Sequence, residues 1–349
     1  MTQRIVDLDE FLALTCPIVD VRAPVEYAKW HIPGAINIPL LEDVDRHDVG
    51  LCYRRNGHEA AVQLGLERVG PRLAILAAKG RALAKHESGE KQIAVYCQRG
   101  GQRSGSMAWL WSQLGIQTHR LQGGYKGFRQ WVPSILSQKR NMLVLAGETG
   151  VGKTDVLHAL EATGETILDL EGLAHHKGSA FGTIGEKPQP SQMHFENKLA
   201  MHLKDFNPIQ TIWVEAESRR IGNCQVPSGL WDSMFEAQRV YVHRSVDERI
   251  QRLSIDYQEA STAELERALS GIQRRLGAKE YQAAMAALKQ EDRRTVVSIV
   301  LEYYDRWYEK YHTEHAEQII QELDVTGCSE EEVAILLKRI KDENSGVIE

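Results

Sequence analysis

The stretch Gly147-Glu-Thr-Gly-Val-Gly-Lys153-Thr154 constrains the fold of this chain more than any other. It fits G-x-x-x-x-G-K-[ST], follows the apolar run Met142-Leu-Val-Leu-Ala146 and precedes a helical pattern from Asp155 to Leu160. A strand that turns through glycines into a helix is the local signature of a parallel α/β sheet. The glycines let backbone N–H groups approach phosphate oxygens, Lys153 supplies charge, and Thr154 offers a hydroxyl to Mg²⁺. Gly147, Gly150, Gly152, Lys153 and Thr154 are thus candidate phosphate-binding residues. The pattern does not say which phosphate they hold.

The 349 residues suggest about two domains, at roughly 100–200 residues each. Before the glycine loop, Ile18-Val-Asp-Val and Ile93-Ala-Val-Tyr96 read as strands, and Arg103 to Leu114 as a helix closed by Gly115. A second helix is expected around Trp131 to Arg140. After the loop, Ile167-Leu-Asp-Leu, Thr211-Ile-Trp-Val-Glu and Arg239-Val-Tyr-Val-His are strand candidates, with a helix from Gln192 to Phe206 between two of them. From about Asp247 to Tyr311, Gly and Pro are scarce and helical periodicity dominates. The expected domains are 1–138, 139–312 with the helical extension, and an acidic segment 313–349 whose end from Asp342 frays.

Hydrophobic residues make up 42% and charged residues 26%, as in ordinary globular protein. No apolar run approaches the ~18 residues needed to cross a bilayer, and the start carries no apolar export core. Five cysteines without a C-x-x-C fit a reducing cytoplasm and argue against a disulfide framework or a cysteine-based zinc site. The net charge of -6 conceals a division: residues 1–140 hold 19 Lys+Arg against 13 Asp+Glu, and residues 313–349 hold 3 against 10. An acidic total opposes indiscriminate nucleic-acid binding. A local basic surface for RNA belongs in the first third, where Arg54-Arg55 and Lys139-Arg140 are the basic pairs.

Cys97 follows a strand and opens Cys97-Gln-Arg-Gly-Gly-Gln-Arg103-Ser104, which runs into a helix. Inward-turned amides and a helix N-terminus stabilise an anion at such a place and lower a thiol pKa. Cys97 is the candidate catalytic residue, with Arg99, Gly100, Gly101, Arg103 and Ser104 as its anion-binding loop. At these residues the chain resembles the rhodanese (sulfurtransferase) family over about residues 5–137. The resemblance rests on Ile18-Val-Asp-Val-Arg22, Glu26-Tyr27, His31-Ile-Pro-Gly-Ala-Ile-Asn-Ile-Pro39, the Cys97 loop and Leu121-Gln-Gly-Gly-Tyr125. It implies that Cys97 holds a chalcogen atom. Rhodanese loops commonly span six residues from Cys to the basic residue, whereas Cys97 to Arg103 spans seven. That C-x5-R spacing resembles cysteine phosphatases and suits a bulkier, tetrahedral anion.

In the second half, Asp169, Glu215 and Glu217 are candidate acidic partners of the phosphate loop. Asp169-Leu-Glu-Gly-Leu-Ala-His-His-Lys-Gly-Ser-Ala-Phe-Gly182 reads as a substrate loop, with His175 as a substrate-side candidate. His175 and His176 would point about 100° apart on a helix, so no shared metal is expected. His312 and His315 read as surface residues.

A rhodanese-like α/β domain followed by a P-loop NTPase-like parallel-sheet domain with a C-terminal helical region resembles the tRNA 2-selenouridine synthase family over essentially the whole chain. The resemblance implies a transferase that converts wobble 2-thiouridine in tRNA to 2-selenouridine. The route passes through an S-geranyl intermediate made from geranyl diphosphate, selenophosphate supplies selenium, and a geranylthiol-type product leaves. Cys97 then either carries selenium as an S-selanyl adduct or activates the donor. No firm cofactor is expected beyond a place for Mg²⁺, nor any membrane or obligate protein partner. The alternative is a rhodanese-type sulfurtransferase with an accessory nucleotide-binding domain.

Overall fold

The computed structural model describes residues 3–84, 91–207 and 209–345. Contacts divide the chain into two compact units, residues 1–135 with 196–201 and residues 136–195 with 202–349. The helix Gln192–Leu203, expected in the second half, is shared by that division.

The first unit is built on five parallel strands: β1 Gln3–Val6, β2 Ile18–Asp20, β3 Ile36–Asn37, β4 Gln92–Tyr96 and β5 Gln117–Leu121. Their order is β1-β5-β4-β2-β3, which puts β4 in the middle. Four consecutive β4 residues, Ile93 to Tyr96, are fully buried, as expected of a strand covered by helices on both faces. Val19, Val95, Met107 and Trp111 form part of its core. Asp20 and Arg22 lie inside this unit at zero exposure, paired at 2.6 Å. Arg22 also donates to the Trp30 carbonyl (2.8 Å) and to Gln98 Oε1 (3.2 Å), and its guanidinium lies 4.2 Å from the Tyr125 ring centre. The pair therefore ties β2 to the first loop residue after Cys97.

The expected strands at 18–21 and 93–96 and the helix after Cys97 are present, the last as Gln102–Ser112. The helix expected around Trp131 to Arg140 instead runs Gly124–Leu136. Its early start has a tertiary cause. The Tyr125 and Lys126 N–H groups, which no turn of helix could satisfy, donate to the Cys97 and Gln98 carbonyls at 2.9 and 3.0 Å.

The second unit also holds five parallel strands, β6 Met142–Gly147, β7 Thr166–Leu168, β8 Ile212–Glu215, β11 Gln238–His243 and β12 Ile319–Asp324, in the order β12-β11-β6-β8-β7. A short antiparallel ribbon, β9 Arg220–Ile221 and β10 Cys224–Gln225, stands apart. β6 is central and entirely buried. The chain leaves it for β7 and β8 on one side and later for β11 and β12 on the other. Its carboxyl end is thus a topological switch point, where open α/β sheets bind ligands. The helical region consists of Val246–Asp256, Thr262–Leu276, Ala278–Lys289 and Arg293–Glu314.

Residues 313–349 are more than an acidic segment. They supply the half-exposed edge strand β12 and the helix Glu330–Ser345, whose Val333, Ala334 and Leu337 are fully buried beside Leu160 and Val240. Charge on the outer face conceals this apolar stripe in the sequence. Residues 342–345, expected to fray, continue that helix, and residues 346–349 lie outside the described part.

Breaking the Asp20–Arg22 pair leaves one buried charge uncompensated, which costs about 3–5 kcal/mol. Arg22→Ala is expected to speed amide hydrogen exchange in peptides covering 18–22 and 92–98, with the phosphate-loop unit unaffected. Unchanged exchange in those peptides would show that the pair carries no such load.

Candidate active site

Two loops hold the candidate site residues, each in its own unit and each at the carboxyl end of a central strand. After β4, Cys97 is 3% exposed. Its sulfur lies 3.2 Å from Ser104 Oγ in the first turn of the next helix. The Ser104 hydroxyl has one hydrogen and a second acceptor, the Gly101 carbonyl at 3.2 Å, so a thiolate at Cys97 competes for it. Burial pushes the Cys97 thiol up. The Ser104 side chain, the Ser104 and Arg99 N–H groups and the charge of Arg103 together outweigh this, and the thiol lies below its ordinary value. Gly100 adopts φ +65°, and a Cβ there would sit 2.6 Å from the Leu121 carbonyl, so only glycine lets the loop pass this close to the end of β5.

The two arginines divide their work. The Arg99 side chain is exposed, and only its N–H faces the sulfur. Arg103 is half-buried and donates to Glu26 Oε2 at 2.6 Å, so Glu26 positions the charge that acts on Cys97. Arg120 on β5 donates to the Gly100 carbonyl at 2.8 Å and braces the loop. Sequence reasoning missed the parts played by Glu26 and Arg120, because each is a contact between segments far apart in the chain.

After β6, Gly147 to Thr154 wraps into the helix Lys153–Ala162. Gly152 has φ +90°, and a Cβ there would meet the Arg252 guanidinium carbon at 2.7 Å. Lys153 Nζ donates to the Gly147 and Glu148 carbonyls at 2.9 and 3.2 Å. Arg249, held by two bonds to Asp305 at 2.8 and 2.9 Å, donates to the Thr149 carbonyl and fastens the helical region to the loop. His243 bridges Glu148 at 2.9 Å and Glu322 of β12 at 3.0 Å. Burial disfavours its charge, yet the two carboxylates win and hold its pKa above the ordinary value.

Thr154 Oγ1 lies 3.1 Å from Glu215 Oε2 and 3.2 Å from Glu171 Oε2. Glu215 also accepts the Glu171 N–H at 3.1 Å. Burial, then mutual repulsion, raises all three neighbouring carboxyls: Glu171 to about 9, Glu217 to about 7 and Glu215 well above its usual range. Burial disfavours the charge on Lys153, but Tyr308, Glu171, Glu217 and Glu215 outweigh it and hold its pKa above the ordinary value.

Of the expected acidic partners, Glu215 and Glu217 are here, and Glu171 joins them unforeseen. Asp169 lines the cavity too and adds its charge to the repulsion on Glu215; it accepts the Gly172 N–H at 2.7 Å as a helix cap and faces His158 at 3.2 Å. His175 ends that short helix at φ +52°, its Nδ1 3.0 Å from the Pro188 carbonyl, and it does not line the cavity. Among the described residues no three His, Cys, Asp or Glu side chains are grouped to hold a metal. The hard oxygens of Thr154 and Glu215 still fit Mg²⁺, which commonly takes one or two protein ligands and completes its shell with phosphate and water.

The phosphate loop opens on a cavity of about 840 Å³, within the roughly 300–1,000 Å³ of small-molecule sites. Its far wall comes from the helices Ser228–Glu236 and Arg293–Glu314, and His315, expected on the surface, lines it too. The density of rings in Tyr303-Tyr-Asp-Arg-Trp-Tyr-Glu-Lys-Tyr311 was a signal for this wall in the sequence.

The lowered Cys97 pKa predicts that iodoacetamide labels its peptide with a pH midpoint below the ~8.5 of an ordinary thiol, and that Ser104→Ala moves the midpoint upward. Mass spectrometry of the labelled peptide measures both. A wild-type midpoint at or above the ordinary value would contradict the electrostatic reading.

The comparisons with known proteins match both halves. A rhodanese-like domain profile covers residues 7–131, and the profile of the tRNA 2-selenouridine synthase AAA domain covers residues 140–338. The tRNA 2-selenouridine synthase of Cupriavidus pinatubonensis is 36% identical, the match taking in 87% of this chain and 91% of that protein. The protein of the same name from Pseudomonas putida is 34% identical over 87% and 90%. A solved N-terminal domain from Clostridium difficile, described as that of an ATP/GTP binding protein, is 36% identical over 37% of this chain and 98% of its own, at a TM-score of 0.35. No helix among the described residues is long and apolar enough to cross a membrane. With both domain profiles in series and relatives aligned over nearly their full length, this chain belongs to the tRNA 2-selenouridine synthase family.

Proposed function

We propose that this chain replaces the C2 sulfur of wobble 2-thiouridine in tRNA with selenium in two chemical steps, geranylation at the phosphate loop and selenation at Cys97. As a member of the family it is a tRNA-modifying transferase. The observation that carries the two-step reading is the pair of separate anion sites, one built around a thiol and one around a lysine beside a cavity with an aromatic wall.

In the first step the C1–O bond of geranyl diphosphate breaks, its electron pair leaves with the diphosphate, and C1 bonds to the thiouridine sulfur as the N3 proton departs. The loop amides and Lys153 hold the diphosphate. Mg²⁺, where bound at Thr154 and Glu215, supplies charge neutralisation to the leaving group. Alkylation matters because a thiol leaves C2 more easily than a thiocarbonyl sulfur can. In the second step selenium bonds to C2, the C2–S bond breaks, and geranylthiol leaves. With one water, selenophosphate yields this selenium and inorganic phosphate, so atoms and electrons balance. Attack of the Cys97 thiolate on phosphorus, releasing selenide, balances without an outside oxidant. Forming a sulfur–selenium bond directly from selenophosphate would reduce phosphorus by two electrons. The seven-residue loop, with its amides and Arg103 beside a stabilised thiolate, suits such a tetrahedral donor.

Two variants test the division of labour on purified 2-thiouridine tRNA. Cys97→Ser is expected to abolish selenation and leave S-geranyl tRNA to accumulate. Lys153→Ala is expected to weaken geranyl diphosphate by ~1.5–3 kcal/mol, on the order of 10–100-fold. Selenation surviving in Cys97→Ser, or unchanged geranyl diphosphate affinity in Lys153→Ala, would refute the respective assignment. A sulfurtransferase, the second reading, would instead show thiosulfate-dependent turnover with no need for Lys153.

Transfer RNA binding is expected to weaken with salt, each neutralised phosphate adding a slope of roughly -0.7 to -0.9 in log affinity against log salt. Arg54 and Arg55 are exposed and suit this role. The other basic pair does not: Arg140 is 6% exposed, and Lys139 pairs with Glu236 at 2.6 Å. A salt titration of Arg54→Ala/Arg55→Ala should show a shallower slope than wild type, and an identical slope would remove these residues from the interface.

A further inference from the structure

The cavity beside the phosphate loop joins an anion site to an apolar wall. Trp231, Met234 and Phe235 face it from one helix, and Trp307, Tyr308 and Tyr311 from another. Tyr311 lies four residues after Trp307 and three after Tyr308, so it neighbours both on the helix surface, while Trp307 and Tyr308 point about 100° apart. Phe235 and Trp307 are 53% and 54% exposed, although large apolar side chains are usually covered. The two ends are continuous: Lys153 Nζ lies 5.2 Å from the Tyr308 ring centre. Tyr311 is held in place by Arg239, whose Nε donates to its hydroxyl at 3.0 Å.

This arrangement asks for a ligand with an anionic head and an apolar tail. A nucleobase is read chiefly through hydrogen bonds to its edge; Phe235 offers none and Met234 only a weak acceptor. An unsaturated hydrocarbon chain needs only ring faces and exclusion of water, which this wall provides.

We infer that the wall formed by Phe235 and Trp307 is the seat of the hydrocarbon chain of an allylic diphosphate and sets the chain length the protein accepts. The inference rests on the assignment of geranyl diphosphate to the phosphate loop, and it adds the residues that hold the tail. Because both side chains are more than half exposed, truncating them removes ligand contacts without emptying the core.

Calorimetric titration of the full chain tests this with geranyl diphosphate, inorganic diphosphate and ATP as probes. Phe235→Ala and Trp307→Ala should each weaken geranyl diphosphate about tenfold to a hundredfold, as expected for losing the burial of one aromatic group. They should leave inorganic diphosphate affinity unchanged, and Trp307→Phe should restore most of the loss. The shortened wall should also narrow the preference for geranyl over the longer farnesyl diphosphate. If both alanine variants bind geranyl diphosphate like wild type while Lys153→Ala does not, the tail lies elsewhere and the inference fails, with the diphosphate site intact. If the alanine variants lose ATP as strongly as geranyl diphosphate, the wall holds a base and the inference fails. If the wild type binds ATP or inorganic diphosphate but no geranyl diphosphate, the underlying assignment fails and takes the inference with it.

Discussion

A parallel strand covered on both faces has no route to solvent along its length and reaches it only where it ends. The central strands β4 and β6 are both of this kind, and the two candidate loops begin at their carboxyl ends. There the chain turns into a helix whose first N–H groups lack intrahelical acceptors, so partial positive charge collects at the turn. Cys97 and the Gly147–Thr154 loop share this backbone property, which the proposed function uses once for a thiolate and once for phosphate.

The sites differ in how that positive charge is balanced. At Cys97 the opposing acid is remote from the sulfur: Glu26 neutralises Arg103 and fixes its position, while Ser104 and the amides act on the thiol directly. At the phosphate loop the acids crowd inward. Glu171, Glu215 and Glu217 raise one another's proton affinity and share a single lysine. A phosphate group would bring further negative charge, so its arrival would favour a cation or protons beside it.

Support for each loop comes from elements remote in sequence. The Gly124–Leu136 helix takes two carbonyls of the cysteine loop, and buried Arg22 reaches Gln98. Arg249 with Asp305, and His243 with Glu148 and Glu322, bind the phosphate loop to the helical region and to the edge strand. The acidic terminal segment therefore contributes to the loop's geometry as well as to the charge of the chain.

The local sequence determined both loops, the strands before them and the helices after them. Glycine spacing, apolar runs and a basic residue at fixed distance depend only on neighbours in the chain, so the two-domain α/β reading was available from the residues alone. The early start of the helix at Gly124, the burial of Arg140 and the sheet-building role of Ile319–Asp324 were decided by partners far away. So was the gathering of Glu171 and Glu217 beside the buried Glu215, and of Phe235 with Trp307 on one cavity wall. A side chain's periodicity says which face of its helix it occupies, but only the packing of that helix against others decides whether the face meets core, solvent or a ligand.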